Sequence, residues 1–508
     1  MVRDFLNNGT QKNVKLRLIG KRGRDGRRYN LPSVSEVAGI IVGDFDASRT
    51  ERDIVVQTQT GSLQRITELN LSYLGLQCPI LFPYGEDGFR EHIPLNRIKR
   101  KNDNEEKCVT MRDYFAFYIQ RRFSDSSPLL YSRRLFQQFI VDAYSMIESS
   151  QLDYYRFHQK NVQCDLYKGI CEAVVNGDNS ATTHDRCIVF PATFVGGLRY
   201  IIQNYQDAMA ICTKVGYPNL FFTFTCNPKW PEIVDHLSTR GLKAEGRPVI
   251  VCRMFKMKLD SLAKDLRVNM LFGRVVAMVY TIEFQKRGLP HAHILLFLHE
   301  WDKYPTLDDI DKIISAKIPN KSVDAKYYEA VSNLMIHGPC GASLKDSPCM
   351  DNGRCLRNFP MRFVDSTSID YDGYPVYCRR DNGRTIKKSG IELDNRWVVP
   401  HNRSLLLKYG AHINVEWCNQ SRSIKYLFKH VNKGHDHVTA SFYHEGSTKS
   451  LYDEIDEIKM NYDCGYLNPC ETTWRIMGYD IHYRYLAVIR LPFPLPSDRL
   501  FYSKTTNH

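Results

Sequence analysis

The spacing of apolar and polar positions changes character several times along the chain. Val14-Lys15-Leu16-Arg17-Leu18-Ile19 alternates, Arg24-Asp25-Gly26-Arg27 supplies a turn, and the run Asp53 to Thr60 before Gly61 reads as another strand and turn. Residues 1–98 therefore read as a β-rich domain, closed by the charged joint Arg97-Ile98-Lys99-Arg100-Lys101-Asn102-Asp103-Asn104. From Met111 to Ala173 the apolar period is helical, with Leu135, Phe139, Ile140, Ala143 and Met146 on one stripe, which assigns residues 99–185 to helices. Residues 186–300 alternate: a helix from Tyr200 to Val215, a strand from Asn219 to Cys226, and a helix burying Val251, Phe255, Leu259, Leu262 and Leu266. A strand from Arg274 to Gln285 and a further apolar strand beginning at His291 follow. Helices packed on an antiparallel sheet, an α+β class, are the expected product. Residues 301–360 add two short helices, one capped by Thr306 and one from Val323 to Met335. Residues 361–440 read as strands followed by an amphipathic helix, and 441–508 as a tail.

Composition narrows the class of protein. Hydrophobic residues make up 43% and charged residues 25%, as in ordinary globular proteins, and no apolar run approaches the length of a membrane span. Fifteen cysteines scattered through 508 residues argue for a reducing compartment and for thiols or metal ligands over a disulfide scaffold. The formal net charge is +13, and the first thirty residues hold nine Lys or Arg, among them Arg22, Arg24, Arg27 and Arg28, against Asp4 and Asp25. Such a concentration favours a polyanion by counterion release, so these arginines are candidate DNA contacts.

Three motifs carry chemistry. Gly288-Leu289-Pro290-His291-Ala292-His293 opens the apolar strand, and the period of two puts His291 and His293 on one face, where two imidazoles can share a metal ion. The preceding strand returns through a Gly-Leu-Pro turn, so an oxygen ligand from Gln285 or Glu283 stands beside them; this mixed set suits a catalytic divalent ion with open positions. His337, Cys340, Cys349 and Cys355, spaced His-x2-Cys-x8-Cys-x5-Cys, offer a closed tetrahedral Zn²⁺ site, with Cys378 as a substitute ligand. Finally, the helix expected over residues 419–434 buries Ile424, Leu427, Phe428 and Val431. Its opposite face holds Arg422, Tyr426, Lys429, His430 and Lys433. A phenol with a pKa near 10 is a poor nucleophile at neutral pH, but cations and a metal that polarises the electrophile favour its attack on a phosphodiester.

These motifs lie in a telling order. Asn204 to Ile211, Leu220 to Glu232, Glu283-Phe284-Gln285-Lys286-Arg287-Gly288-Leu289-Pro290-His291-Ala292-His293, His337-Gly338-Pro339-Cys340-Gly341 and Ile424-Lys425-Tyr426-Leu427-Phe428-Lys429 together resemble the helicase-like amino-terminal region of Helitron transposon proteins, from about Leu71 to Arg499. The resemblance implies an antiparallel-sheet endonuclease core of the His-hydrophobic-His (HUH) replication-initiator class. It further implies nicking and joining of single-stranded DNA at transposon ends in rolling-circle transposition, with Mg²⁺ or Mn²⁺ as catalytic ion. Carried over by position, His291 and His293 are metal ligands, Gln285 is the third ligand, Tyr426 is the nucleophile that leaves a 5′-phosphotyrosine, and Lys429 helps bind phosphate. Two departures stand out. His430 occupies the place of the family's second tyrosine, which leaves either a single-tyrosine reaction, with His430 as extra ligand or proton carrier, or a decayed transposase. No Gly-x4-Gly-Lys-Ser/Thr loop occurs, so no ATPase or helicase is expected, the chain reads as a truncated product, and unwinding falls to a separate helicase. The competing expectation is a catalytically inactive, zinc-stabilised DNA-binding remnant; hydrolysis by metal-activated water lacks an evident general base. A nuclear location follows from the DNA role.

Overall fold

The computed structural model describes residues 63–95, 108–120, 128–159, 188–284, 288–304, 306–341, 344–371, 373–418 and 466–489. It also describes 16–19, 39–40, 53–57, 439–442, 457–458 and 461. Its centre is a five-stranded sheet whose members are numbered here as β1 (Leu220–Thr225), β2 (Val275–Phe284), β3 (Pro290–Leu298), β4 (Ile413–Trp417) and β5 (His482–Tyr485). The order across the sheet is β4-β1-β3-β2-β5, and every neighbouring pair is antiparallel. The expected antiparallel sheet with packed helices is therefore present, and the expected strands lie within a residue or two of their places. The strand with the two histidines takes the middle position.

All nine residues of β3 are buried because both faces of the sheet are covered. The longer helices before and between these strands are α1 (Met111–Tyr118), α2 (Arg134–Phe157), α3 (Leu198–Val215), α4 (Pro231–Ser238) and α5 (Pro248–Arg267). On one face Phe222, Phe224, Ala292, Ile294, Leu296, Met278 and Ile282 pack against the stripe Val251, Phe255, Leu259, Leu262 and Leu266 of α5. Phe224 stacks on Phe255 at 5.2 Å. Each such side chain contributes roughly 2 kcal/mol of transfer free energy on burial. On the other face Phe221, Ala277, Val279, Leu295 and Phe297 meet Ala208, Ile211 and Cys212 of α3. The helix α3 is fastened over β5 by an ion pair of Arg484 with the buried Asp207 (2.6 Å) and by a hydrogen bond between Tyr200 Oη and His482 Nδ1 (2.9 Å).

Between β3 and β4 the chain makes an excursion with its own small core of Ile318, Val331, Met335, Ile336, Ile386, Leu393, Val398 and Leu406. Three short helices frame it: α6 (Leu307–Ile313), α7 (Ala325–Leu334) and α8 (Arg403–Tyr409). Thr306 caps α6 as expected, accepting from Asp309 N at 3.2 Å, and Asp324 caps α7, accepting from Tyr327 N at 3.0 Å. The helix expected from Val323 to Met335 is thus shorter at both ends, since Asp324 is its cap. A separate cluster joins α1 and α2 to α9 (Pro469–Ile476), where the buried Arg475 pairs with Glu471 at 3.0 Å and donates to Tyr144 Oη at 2.9 Å. Leu135, expected in the α2 stripe, is 41% exposed, and Phe136 is buried in its place. The helix begins only at Arg134, so its first turn lacks a neighbour on the Leu135 side.

Near the amino terminus Asp53–Gln57 pairs antiparallel with Leu63–Thr67, and Leu16–Ile19 with Thr439–Phe442. Among the described residues no helix is long and apolar enough to cross a membrane.

Candidate functional site

The register of the central strands assembles the first cluster. Glu283 lies directly across from His291 on β2 and β3, and Thr281 across from His293. On the other flank Thr225 faces His291 and Thr223 faces His293. Alternation then puts Glu283, His291 and His293 on one face, towards the carboxyl end of β2 and the start of β3. The Oε2 atom of Glu283 is 3.5 Å from His291 Nε2 and 3.7 Å from His293 Nε2. All three donors lie within 4.8 Å of one another. Donors bound at 2.0–2.2 Å to one divalent ion sit about 3.0–3.5 Å apart, so the carboxylate already stands within tenths of an ångström of a ligating distance from each imidazole. The two imidazoles are 9% and 7% exposed, and among the described residues His291 Nδ1 is buried without a hydrogen-bond partner. Two imidazoles and a carboxylate fit a divalent ion that keeps open positions.

His293 is held from two sides. Its ring stacks on Phe221, nearly parallel at 5.5 Å, and its Nδ1 lies 3.3 Å from Thr223 Oγ1. With the proton on Nδ1 donated to the threonine, the Nε2 lone pair faces Glu283, the arrangement in which second-shell partners set the tautomer of a metal-binding imidazole. Thr223 and Thr225 were not singled out from the sequence. Their signal was present, as the polar alternates in Leu220-Phe221-Phe222-Thr223-Phe224-Thr225, but their partners depend on register.

Beyond Thr225 the row continues. Thr225 N donates to His412 O at 3.0 Å, placing His412 just before β4 and level with His291. Burial, and after it the charge of Arg357 and the neighbouring His291 and His337, push the His412 imidazole down to about 4. His337 is likewise held at about 4 by burial, then by Arg357 and Lys388.

His337 belongs to the second cluster, with Cys340, Cys349 and Cys355, whose donor atoms also lie within 4.8 Å of one another. Cys355 Sγ is 3.3 Å from His337 Nε2, and all three cysteines are free thiols. Tetrahedral Zn²⁺ with bonds of 2.0–2.3 Å separates its donors by about 3.6 Å, so this is a zinc-like Cys3His site. Burial and the adjacent Cys349 and Cys355 push the Cys340 thiol up to about 12. At Cys355 burial acts upward, but the amides of Arg357 and Phe359 and the other two sulfurs outweigh it and lower the pKa. Phe359 stacks on His337 at 4.2 Å. Gly338 has φ +90°, and a Cβ there would meet the Trp397 ring at 3.1 Å, so glycine is needed at this bend. Cys378 is not a ligand here: it is buried elsewhere, its thiol donating to Asp365 O at 3.0 Å.

The structure thus brings together Glu283, His291 and His293, and separately His337, Cys340, Cys349 and Cys355. Gln285, Tyr426, Lys429, His430, Lys433, Arg22, Arg24, Arg27 and Arg28 lie outside the described residues.

Residues 114–296 match the family model described as the Helitron helicase-like domain at N-terminus. This stretch is similar to the Helitron helicase-like domain. The matched part of the chain runs from α1 into β3 and includes Glu283, His291 and His293; the Cys3His site follows it in sequence.

Proposed function

We propose that this protein is a Helitron-type, metal-dependent tyrosine endonuclease that nicks and joins single-stranded DNA in rolling-circle transposition, acting in the nucleus. The observation that carries the reading is the convergence of Glu283, His291 and His293 on one face of the central strands, with donor spacings that fit a divalent ion. Mg²⁺ or Mn²⁺ held there would polarise the scissile phosphodiester. The geometry of the described residues supports Glu283 as an oxygen ligand; Gln285 lies outside them. The imidazoles orient the site, and Thr223 fixes the His293 ring. Tyr426 Oη forms a bond to phosphorus as the bond from phosphorus to the 3′ oxygen breaks. Its phenol proton leaves to solvent, and the departing 3′ alkoxide takes one up. A 5′-phosphotyrosine and a free 3′-hydroxyl result, and joining is the reverse exchange with another 3′-hydroxyl.

Labelled single-stranded DNA incubated with the protein and Mn²⁺ or Mg²⁺ tests the reading. A denaturation-resistant adduct that EDTA and Tyr426→Phe abolish is expected. Adduct that survives Tyr426→Phe removes the nucleophile assignment, and no adduct or nicking under any divalent ion leaves a zinc-stabilised DNA-binding remnant as the better account.

A further inference from the structure

We propose that Thr225 is a positioning residue of the metal site, its hydroxyl accepting from His291 Nδ1 and donating to His412 Nδ1, so that one threonine ties a ligand on the central strand to the start of the edge strand β4. The proposal rests on the reading that Glu283, His291 and His293 hold a divalent ion, and it extends that site to two residues outside the ligand set.

The register fixes the neighbours. Thr225 on β1 lies directly across from His291 on β3. On its other side the Thr225 amide donates to His412 O at 3.0 Å, which sets His412 across from Thr225 where β4 begins. All three side chains share a face. The alternate residues Phe224, Ala292 and Ile413 belong to the core that packs on α5, so Thr225, His291 and His412 turn to the opposite side. Each step from strand to strand is about 4.8 Å. Two nitrogens that share one hydroxyl stand about 5–6 Å apart, so rings that flank Thr225 on both sides need only lean toward it.

Hydrogen-bond accounting picks out the same atoms. Among the described residues His291 Nδ1 and His412 Nδ1 are both buried without a partner, and a buried polar atom calls for one. Of the two residues directly across from His291, Glu283 meets Nε2 at 3.5 Å, and Thr225 is the other. A neutral imidazole carries one ring proton. With Nε2 given to a metal ion, that proton is on Nδ1, which must donate it. His412 supplies the complement, a lone pair on Nδ1 that takes the threonine's proton. A hydroxyl donates and accepts at once and rotates to suit its partners. The neighbouring pair has this arrangement already: Thr223, two residues back on the same strand and face, lies across from His293 and has Oγ1 at 3.3 Å from its Nδ1. Each imidazole ligand thus has its own threonine in register with it, as partners that orient metal-binding histidines do.

The test uses the full chain with zinc in the Cys3His site, Mn²⁺ titrated by calorimetry, and thermal melts in EDTA and in Mn²⁺. Thr225→Val keeps the branched shape and removes the hydroxyl. It is expected to bind Mn²⁺ about tenfold more weakly, with the melt in EDTA unchanged and the rise on adding Mn²⁺ reduced. Thr225→Ser, which keeps the hydroxyl, is expected to recover the affinity. His412→Phe should lose less, and the double variant should bind no more weakly than Thr225→Val alone, because both residues act through one bridge. Wild-type Mn²⁺ affinity in Thr225→Val overturns the proposal, as does a serine variant as weak as the valine one, or losses that multiply in the double variant. A melt in EDTA lowered equally by valine and serine makes the residue structural and overturns it too. If Thr225→Val weakens Mn²⁺ binding while the wild type forms no Tyr426 adduct with single-stranded DNA, the endonuclease reading fails and the positioning role stands. If the adduct forms and Thr225→Val binds Mn²⁺ as the wild type does, the positioning role alone fails.

Discussion

Replacing Thr223 by valine separates the metal ligands from the residue that aims one of them. The substitution keeps the branched shape in β1 but removes Oγ1, which lies 3.3 Å from His293 Nδ1. In the metal-ready tautomer that nitrogen carries a proton and donates it to Thr223. A buried N–H left without an acceptor costs about 1–3 kcal/mol. The ring can escape part of this by moving its proton to Nε2, the nitrogen that faces Glu283 at 3.7 Å, which leaves no lone pair for a cation. Loss of a partner behind a ligating histidine weakens metal binding about tenfold, near 1.4 kcal/mol. The assay is Mn²⁺ titration by calorimetry on wild type, Thr223→Val and Thr223→Ser, with thermal melts alongside. Thr223→Val should bind Mn²⁺ about tenfold more weakly while the serine variant, which keeps the hydroxyl, stays close to wild type. Wild-type Mn²⁺ affinity in Thr223→Val with an unchanged melt would refute the orienting role.

Three further outcomes follow from other parts of the molecule. Cys349→Ser should release the zinc measured by mass spectrometry and lower the melting temperature by several degrees, because the four ligands tie the loop over residues 337–359 to the small core below it. His401 is buried, donates from Nδ1 to Val399 O (2.9 Å), accepts at Nε2 from Tyr327 Oη (2.8 Å), and is held by burial at about 4, below its ordinary 6.5. The unfolded chain therefore takes up the proton first. The stabilisation is fully present above pH 6.5 and is lost as the pH falls towards 4, by about 2 kcal/mol between pH 7 and 5. Urea melts at the two pH values should show this loss in wild type and a smaller one in His401→Gln. Phe255→Ala, which empties a fully buried position between Phe224 and Trp474, should cost about 3–5 kcal/mol in denaturant unfolding while leaving the Glu283 face intact.

Local periodicity made much of this fold legible. The strand expected from Arg274 to Gln285 is Val275–Phe284, and the α5 stripe from Val251 to Leu266 is buried as its 3.6-residue spacing requires. The same alternation put His291 and His293 on one face and placed Glu283 in the hairpin beside them. Spacing brought His337, Cys340, Cys349 and Cys355 together on paper and the fold does so in space, whereas Cys378, equally available by residue type, points to a different carbonyl. What periodicity does not carry is register between distant segments. Thr223 meets His293 across seventy residues, and His412 reaches the same row after the whole excursion from residue 299. Both depend on which strands become neighbours, a choice made by burial on the two sheet faces. Leu135 shows the smaller failure, in which a periodic position at a helix start has nothing to pack against.

The central claim is that Glu283, His291 and His293 hold one divalent ion. Electron spin-echo measurements on Mn²⁺ bound to the zinc-loaded protein test it most directly, since nitrogen couplings report imidazole in the inner shell. Couplings from two histidine nitrogens are expected in wild type, from one in His291→Ala or His293→Ala, with Mn²⁺ affinity falling in Glu283→Ala. Mn²⁺ that binds without nitrogen couplings, or with couplings unaffected by removing either histidine, would contradict the account.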